Sequence, residues 1–335
     1  VDQRAASATA ERASAGKRPS PRRRRRWFAW TVVALLAAWA ALRVGGLETG
    51  SFLIQLMTVT PIGAGLAALT ALLAVLRRNR PAGLSAAVVG MVFVACLIPR
   101  TSGVEPGKVI EGVPLRVLSV NLFGWADAET VVRLVRLYEI DVFSALELTP
   151  DAVRRLDQAG LRKLLPYRVL QAADGAIGSG LFARHPLRPL RGLFTPIGHN
   201  MPAATLSLPS GGKVEVVAVH PDPPLGRMAA EWDASLKALP SPSPSVIRIL
   251  AGDFNASLDH RAFRDLLARG YVDAADQVGK GLVPTWPNNR AMPPIITIDH
   301  VLADRRVNVA STEILDVPGT DHRGVFADLR VPAIG

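Results

Sequence analysis

Residues 247–255 read Ile-Arg-Ile-Leu-Ala-Gly-Asp-Phe-Asn, a β-branched apolar run that stops on a glycine, an acid and an amide. The run predicts a buried strand over 247–251. A polar residue placed where an apolar strand stops belongs to a sheet edge at which several strand ends can share one pocket. The pattern recurs along the chain. Asn121 ends LRVLSV (115–120), Glu147 follows VFSAL (142–146), His220 follows VEVVAV (214–219), and Asp299 sits in ITIDHVL (296–302). Asp321 and His322 precede a final strand at 325–331. Further strands are expected at 179–183 and 204–208, and amphipathic helices at 128–138, 152–165, 229–239 and 261–269, with Thr149 or Asp151 as a helix cap. About eight strands and four helices within some 220 residues suit a layered α/β domain.

The first 100 residues differ in kind. The chain of 335 residues is 49% hydrophobic and 20% charged, with 39 Lys and Arg against 28 Asp and Glu. Residues 1–100 hold 14 basic and 3 acidic side chains, so 25 of each remain for 101–335 and the whole net charge of +11 sits at the front. Bulk attraction to a polyanion needs the positive charge on the binding domain itself, and here that domain is neutral. One cysteine excludes a disulfide framework, and the high apolar content excludes a disordered chain.

Residues 1–26 read as a disordered basic tail ending in five arginines. Three uncharged or nearly uncharged runs follow, expected as transmembrane helices at about 27–47 (with Arg43 snorkelling), 51–76 and 82–98. A cleaved signal peptide is the rival reading of the first, since Ala38-Trp39-Ala40 has a small-x-small pattern. Arginines before the first run and at 77–80 place those ends in the cytoplasm, which puts residues 101–335 outside the cell. Residues 101–113 read as a linker and 114–331 as the soluble domain.

Taken singly, each strand-end residue has a structural explanation: an Asx turn for Asp253 and Asn255, a strand stop for Asn121, a cap for Glu147, and satisfied turn histidines for His220 and His322. Together, four acids, two amides and two histidines are the ingredients for binding a hard cation through oxygen and for moving protons near neutral pH. His185, His199 and His260 read as surface or turn residues, and His300 should point away from Asp299 along the strand.

In their order and context, Asn121, Glu147, GSGLFARHPL (178–187), His220, GDFN (252–255), Asp299-His300 and Thr320-Asp321-His322 resemble the endonuclease/exonuclease/phosphatase superfamily over residues 114–331. The resemblance implies a deoxyribonuclease-like four-layer sandwich, two mixed β-sheets flanked by helices. It implies hydrolysis of phosphate esters with Mg²⁺ or Mn²⁺, with Ca²⁺ as a further candidate. By resemblance, Glu147 is the main metal ligand, assisted by Asn121 and Asp321, and His322 is the general base oriented by Asp299. His220 and Asn255 contact the scissile phosphate, and Asp253 orients water or protonates the leaving oxygen. His220 departs from the family's THL-like context by preceding Pro221-Asp222-Pro223-Pro224.

The function expected is a membrane-anchored phosphoesterase facing outward, with the bilayer as a partner through residues 27–98 and a small molecule, a lipid headgroup or nucleic acid as substrate. The alternatives are an extracellular nuclease of the same superfamily and a non-catalytic binding module on its fold. No protein partner is inferred.

Overall fold

The structure, a computed structural model, describes residues 21–103, 111–289 and 291–332. Most of the basic tail and the middle of the linker therefore lie outside the described residues. These residues form two compact units: one comprises the chain up to Ala41 together with Gly63–Val92, the other Leu42–Ile62 together with the chain from Phe93 onward.

Four helices begin the chain: α1 (Pro21–Gly45), α2 (Gly50–Thr58), α3 (Thr60–Leu76) and α4 (Arg80–Leu97). The segments 26–45 and 80–101 are each long and apolar enough to cross a membrane, and α2 with α3 makes a third if that broken pair is one span. Leu35, Leu69, Leu72, Leu84 and Met91 stand exposed on α1, α3 and α4, the surface expected of helices meant for an apolar solvent. Helix α1 starts at Pro21, so residues 22–26, read from sequence as part of the tail, form its first turns. The second hydrophobic run breaks at Val59. Pro61 has no N–H to continue the helix and instead occupies the first turn of α3, while Thr60 Oγ1 donates to the Met57 carbonyl at 2.7 Å.

In the second unit the strands are β1 (Val113–Asn121), β2 (Val142–Leu146), β3 (Tyr167–Gln171), β4 (Ser179–Ala183), β5 (Leu187–Pro189) and β6 (Ala203–Ser207). They continue with β7 (Lys213–Val219), β8 (Ile247–Asp253), β9 (Tyr271–Asp273), β10 (Asp299–Asp304), β11 (Asn308–Leu315) and β12 (Gly324–Val331). One sheet runs β11-β12-β1-β2-β4-β3 and the other β5-β6-β7-β8-β10-β9. Each is antiparallel except for one central parallel pair, β1 with β2 and β7 with β8. Helices α5 (Ala128–Leu137), α6 (Pro150–Gln158), α7 (Leu161–Leu164), α8 (Met228–Ala238), α9 (Arg261–Ala268) and α10 (Ala274–Gln277) complete the unit.

Apolar alternation creates four layers. Val117, Val142, Val216, Ile249 and Val301 share one cluster drawn from both sheets. The intervening residues Leu118, Val120, Phe143 and Ala145 pack with Val131, Val135 and Leu156 of α5 and α6, whereas Val217, Leu250 and Leu302 pack with Trp232, Leu236 and Phe263 of α8 and α9. The expected helix at 152–165 is divided by Gly160, which takes φ +101°. Thr149 is the cap of α6, accepting from the Ala152 N–H.

Arg43 does not snorkel. It is 7% exposed in the second unit, with Nε donating to Asp259 Oδ1 at 2.5 Å. Arg100, in the turn after α4, donates to both oxygens of the same carboxylate at 2.8 and 2.6 Å. Burial opposes ionisation of Asp259, yet its two guanidinium partners hold its pKa below the ordinary carboxylate value. Removing one partner of a buried ion pair leaves uncompensated charge and costs about 3–5 kcal/mol. Asp259→Asn should therefore lower the melting temperature of the detergent-solubilised chain by on the order of 10 °C. An unchanged melting curve would mean that this carboxylate contributes nothing to the docking of the helix ends.

Candidate active site

Inward-facing residues of β1 are Leu115 and Val117, of β7 Val214, Val216 and Ala218, of β8 Ile247, Ile249 and Ala251, and of β10 Val301 and Ala303. Continuing the two-residue period brings Asn121, His220, Asp253 and Asp299 onto the same inter-sheet face. Asn121 pairs with Leu146 at the ends of the parallel strands β1 and β2, while Gly252 pairs with Val219 and Asp253 with Asp299 in the other sheet. Glycine is required at 252, because a Cβ there would lie 1.8 Å from the Val219 carbonyl oxygen. Glu147 is out of phase with this alternation, and its φ of +50° breaks the strand geometry at that point. A left-handed non-glycine residue costs of order 1–3 kcal/mol and persists only where its surroundings impose it. Here the carboxylate reaches Asn121, whose Nδ2 donates to Glu147 Oε1 and to Asp253 Oδ2, both at 3.1 Å.

Asn121, Glu147, His220, Asp253, Asn255, Asp299, Asp321 and His322 thus come together at one edge of the sandwich. Six of them line a cavity of about 530 Å³, with Asn121 and Asp299 buried behind the lining. His322 Nδ1 donates to the Asp299 carboxylate at 2.9 and 3.1 Å, and its Nε2 lies 3.8 Å from Asp253 and 3.9 Å from Asp321. Trp286 Nε1 donates to Asp321 Oδ2 at 3.1 Å. His220 Nε2 stands 3.8 Å from Asp253 and 4.0 Å from Glu147, beyond hydrogen-bond length. The Asx turn and the pocket position of Asn255 coexist: its N–H donates to Asp253 Oδ1, its Nδ2 to the Pro221 carbonyl, and it still lines the cavity.

Electrostatics separates these groups. Burial, with Asp299 adding repulsion, pushes Asp253 up to about 7. Burial, then the neighbouring His199 and His322, holds His220 well below its ordinary value. For His322 burial acts downward, but the charges of Asp299 and Asp253 and the bond to Asp299 outweigh it and push the pKa up to about 10. These carboxylates favour the protonated form of His322, and the donor set suits a hard cation. Asp321 Oδ1 is buried without a hydrogen-bond partner, and it is the kind of oxygen that a cation would satisfy. Among the described residues, the compact trio able to offer ligand atoms within 4.8 Å of one another is Asp253, Asp299 and His322. Asp299 already engages His322 through both oxygens, whereas Glu147 and Asp321 face the cavity. Asn121 Oδ1 accepts from the Phe123 N–H at 3.0 Å, so the amide would turn over to offer that oxygen to a cation.

Several features escaped the sequence. His199, read there as a surface or turn residue, lines the cavity, with its ring centroid 4.4 Å from that of His220 and Nε2 3.0 Å from Asp222. His260 does lie in a turn, just before α9, but it is fully buried there. His300 does turn away from Asp299, donating to Asp273 Oδ2 at 2.6 Å and to the Ala256 carbonyl at 2.8 Å in the outer layer. Trp286, in a loop without periodicity, gave no signal beyond its aromatic type.

Residues 118–322 match the endonuclease/exonuclease/phosphatase family, and the chain belongs to that family. Among solved structures it is similar to an endonuclease/exonuclease/phosphatase from Beutenbergia cavernae, at 21% identity and a TM-score of 0.52 over 66% of this chain and 72% of that one. It is also similar to humanized D. rerio TDP2, at 20% identity and a TM-score of 0.54 over 65% of this chain and 99% of that one. Truncated Caenorhabditis elegans TDP2 gives 15% identity and a TM-score of 0.51 over 66% and 99%. At these identities the likeness is one of fold. No curated protein matches the chain.

His322 is 5% exposed and ion-paired, so its removal would strand Asp299 as well as delete a proton acceptor. Asparagine keeps a donor toward Asp299 but cannot take a proton. His322→Asn should lower kcat on a hydrolysed phosphate ester by at least about 100-fold with the fold retained and the melting temperature lowered by no more than on the order of 10 °C, and Asp299→Asn should lower kcat less. Retention of full turnover in His322→Asn would remove this residue from the reaction.

Proposed function

We propose that the protein is a membrane-anchored, metal-dependent phosphoesterase whose catalytic domain lies outside the cell. The observation that carries this reading is the convergence of eight polar residues from six chain segments at one sheet edge, with His322 held by Asp299. A binding module has no need for that complete set. Glu147, Asp321 and Asn121 would hold Mg²⁺ or Mn²⁺, with Ca²⁺ as a further candidate. When bound, the cation would supply charge neutralisation and Lewis acidity at the phosphoryl oxygens.

The chain's own residues divide the remaining work. Water attacks phosphorus in line with the leaving oxygen. The carboxylates favour protonation of His322, which a bound cation would oppose, and in the neutral imidazole Nε2 takes the water's proton while Nδ1–H remains on Asp299 and the P–O bond to the leaving group breaks. Asp253, whose pKa lies near neutrality, supplies the proton that the leaving oxygen takes up. His220 and Asn255 contact the non-bridging oxygens. The nuclease alternative is weakened by the lining of the cavity, which includes no lysine or arginine among the described residues.

Membrane attachment rests on the apolar helices. Its orientation rests on Arg26, Arg77 and Arg78, which line one cavity of the first unit and so gather basic charge at one end, the cytoplasmic signature.

Hydrolysis of a panel of phosphate esters by the full chain should vanish with chelator and return with Mg²⁺ or Mn²⁺, and Glu147→Gln should raise the metal concentration needed at half activity by about 10-fold or more. Chelator-resistant turnover would refute the metal mechanism. Protease added to intact cells should remove the catalytic domain. Cleavage seen only after lysis would reverse the orientation.

A further inference from the structure

The catalytic cavity is not built from the soluble domain alone. Gln55 and Thr58 of α2 line it beside Phe123, Leu225 and Ile296, although α2 belongs in sequence to the second hydrophobic run. The helix is firmly docked. Ile54 is 6% exposed and packs in the cluster of Trp232 and Phe254, and its carbonyl accepts from His260 Nε2 at 2.9 Å. Ser51 Oγ donates to the Pro224 carbonyl and accepts from the Gly226 N–H, both at 2.9 Å. These two bonds bracket Leu225, so α2 sets the position of the loop that forms one lip of the cavity.

Chain length then restricts where this lip can be. Ile62 is the first of the exposed apolar side chains that continue along α3 with Leu66 and Leu69. It lies four residues after Thr58, and four residues of chain reach at most about 14 Å. Ile62, still within the second unit, therefore stands within that distance of the cavity wall, and the apolar run that it opens has the composition of a bilayer segment. Phe123 and Leu225 are each about half exposed at the cavity, an apolar rim where a water-soluble phosphate ester would need none.

We infer, resting on the phosphoesterase reading above, that the substrate is a phosphate ester carried on a lipid, whose headgroup enters the cavity from the bilayer surface past α2 and the Leu225 loop. The lipid's acyl chains stay in the bilayer while the ester bond reaches His322 and Asp253. Confinement of enzyme and substrate to one surface raises their effective concentration, and the apolar rim contacts the part of the molecule next to the acyl chains.

The test uses the full chain reconstituted in phosphatidylcholine vesicles with Mn²⁺. Its probes are long-chain phosphatidic acid and phosphatidylglycerol in the vesicle, their short-chain water-soluble counterparts below the micelle concentration, and single-stranded DNA. For at least one headgroup, kcat/KM should be at least about 10-fold higher for the long-chain lipid than for its short-chain form. Leu225→Asp, at a half-exposed position, should lower that ratio about 10-fold with an unchanged melting temperature, and Leu225→Met should preserve it. Chelator-sensitive cleavage of a short-chain ester or of DNA as fast as that of any lipid would overturn the lipid assignment and leave the phosphoesterase reading standing. An unchanged ratio in Leu225→Asp would overturn the route past the loop. Absence of cleavage of every ester would bring down the phosphoesterase reading and the lipid assignment with it.

Discussion

Two rows of side chains facing each other across the gap between the sheets set both the stability of the catalytic domain and the composition of its site. Facing sheets stand about 10 Å apart, and along each strand every second residue points into that gap. Where the row consists of Val, Ile, Leu and Ala it forms the central core. Where the same row runs past the apolar stretch it delivers Asn121, His220, Asp253 and Asp299 to the edge, close enough for Asn121 of one sheet to bond Asp253 of the other at 3.1 Å. A one-residue slip in any of these strands would turn its polar residue toward the helices. The packing of the core thereby holds the site in register. Ser144 Oγ, donating to the Ala251 carbonyl at 2.8 Å, ties the two sheets together within the core.

Concentrating acids at that edge has a cost that the surroundings distribute. Asp253 rises toward neutrality because burial and Asp299 both disfavour its charge, while His322 gains a proton because two carboxylates favour it. Both shifts run upward, and titratable groups so perturbed within a few ångströms of each other mark a site able to exchange protons. The left-handed backbone at Glu147 and Asn255 belongs to the same economy, since both residues leave regular strand geometry where their side chains face the cavity.

The helical segments that precede the sandwich in the chain take part in this arrangement. Asp259 gathers Arg43 from the end of α1 and Arg100 from the turn after α4, in the residues just before α9. His260, next in sequence, bonds the backbone of α2. Burial pushes the His260 pKa down to about 4, so the ring is neutral, with Nδ1 accepting from the Ser257 N–H and Nε2 donating to Ile54. Adjacent residues thus fix both the ends of the long helices and the short one that lines the cavity.

Much of this was legible in the sequence because alternation and abrupt polar stops are local signals. The strands at 142–146 and 179–183 fall where their β-branched runs predict, and the acids, amides and histidines that end such runs all reach the site. The strands β3, β5, β9 and β11 were not legible: they are short or mixed in polarity, and pairing with neighbours decides their conformation. His199 and Trp286 lie in loops, where no periodicity distinguishes a residue that reaches a cavity from one in water. The sequence by itself determined which residues would meet in the inter-sheet gap, because side-chain direction along a strand follows from its two-residue period. Only the tertiary structure decided that Arg43 and Arg100 would be buried on one carboxylate and that Gln55 and Thr58 would wall the cavity. Those contacts join positions up to 216 residues apart, and no local pattern encodes a distance of that kind.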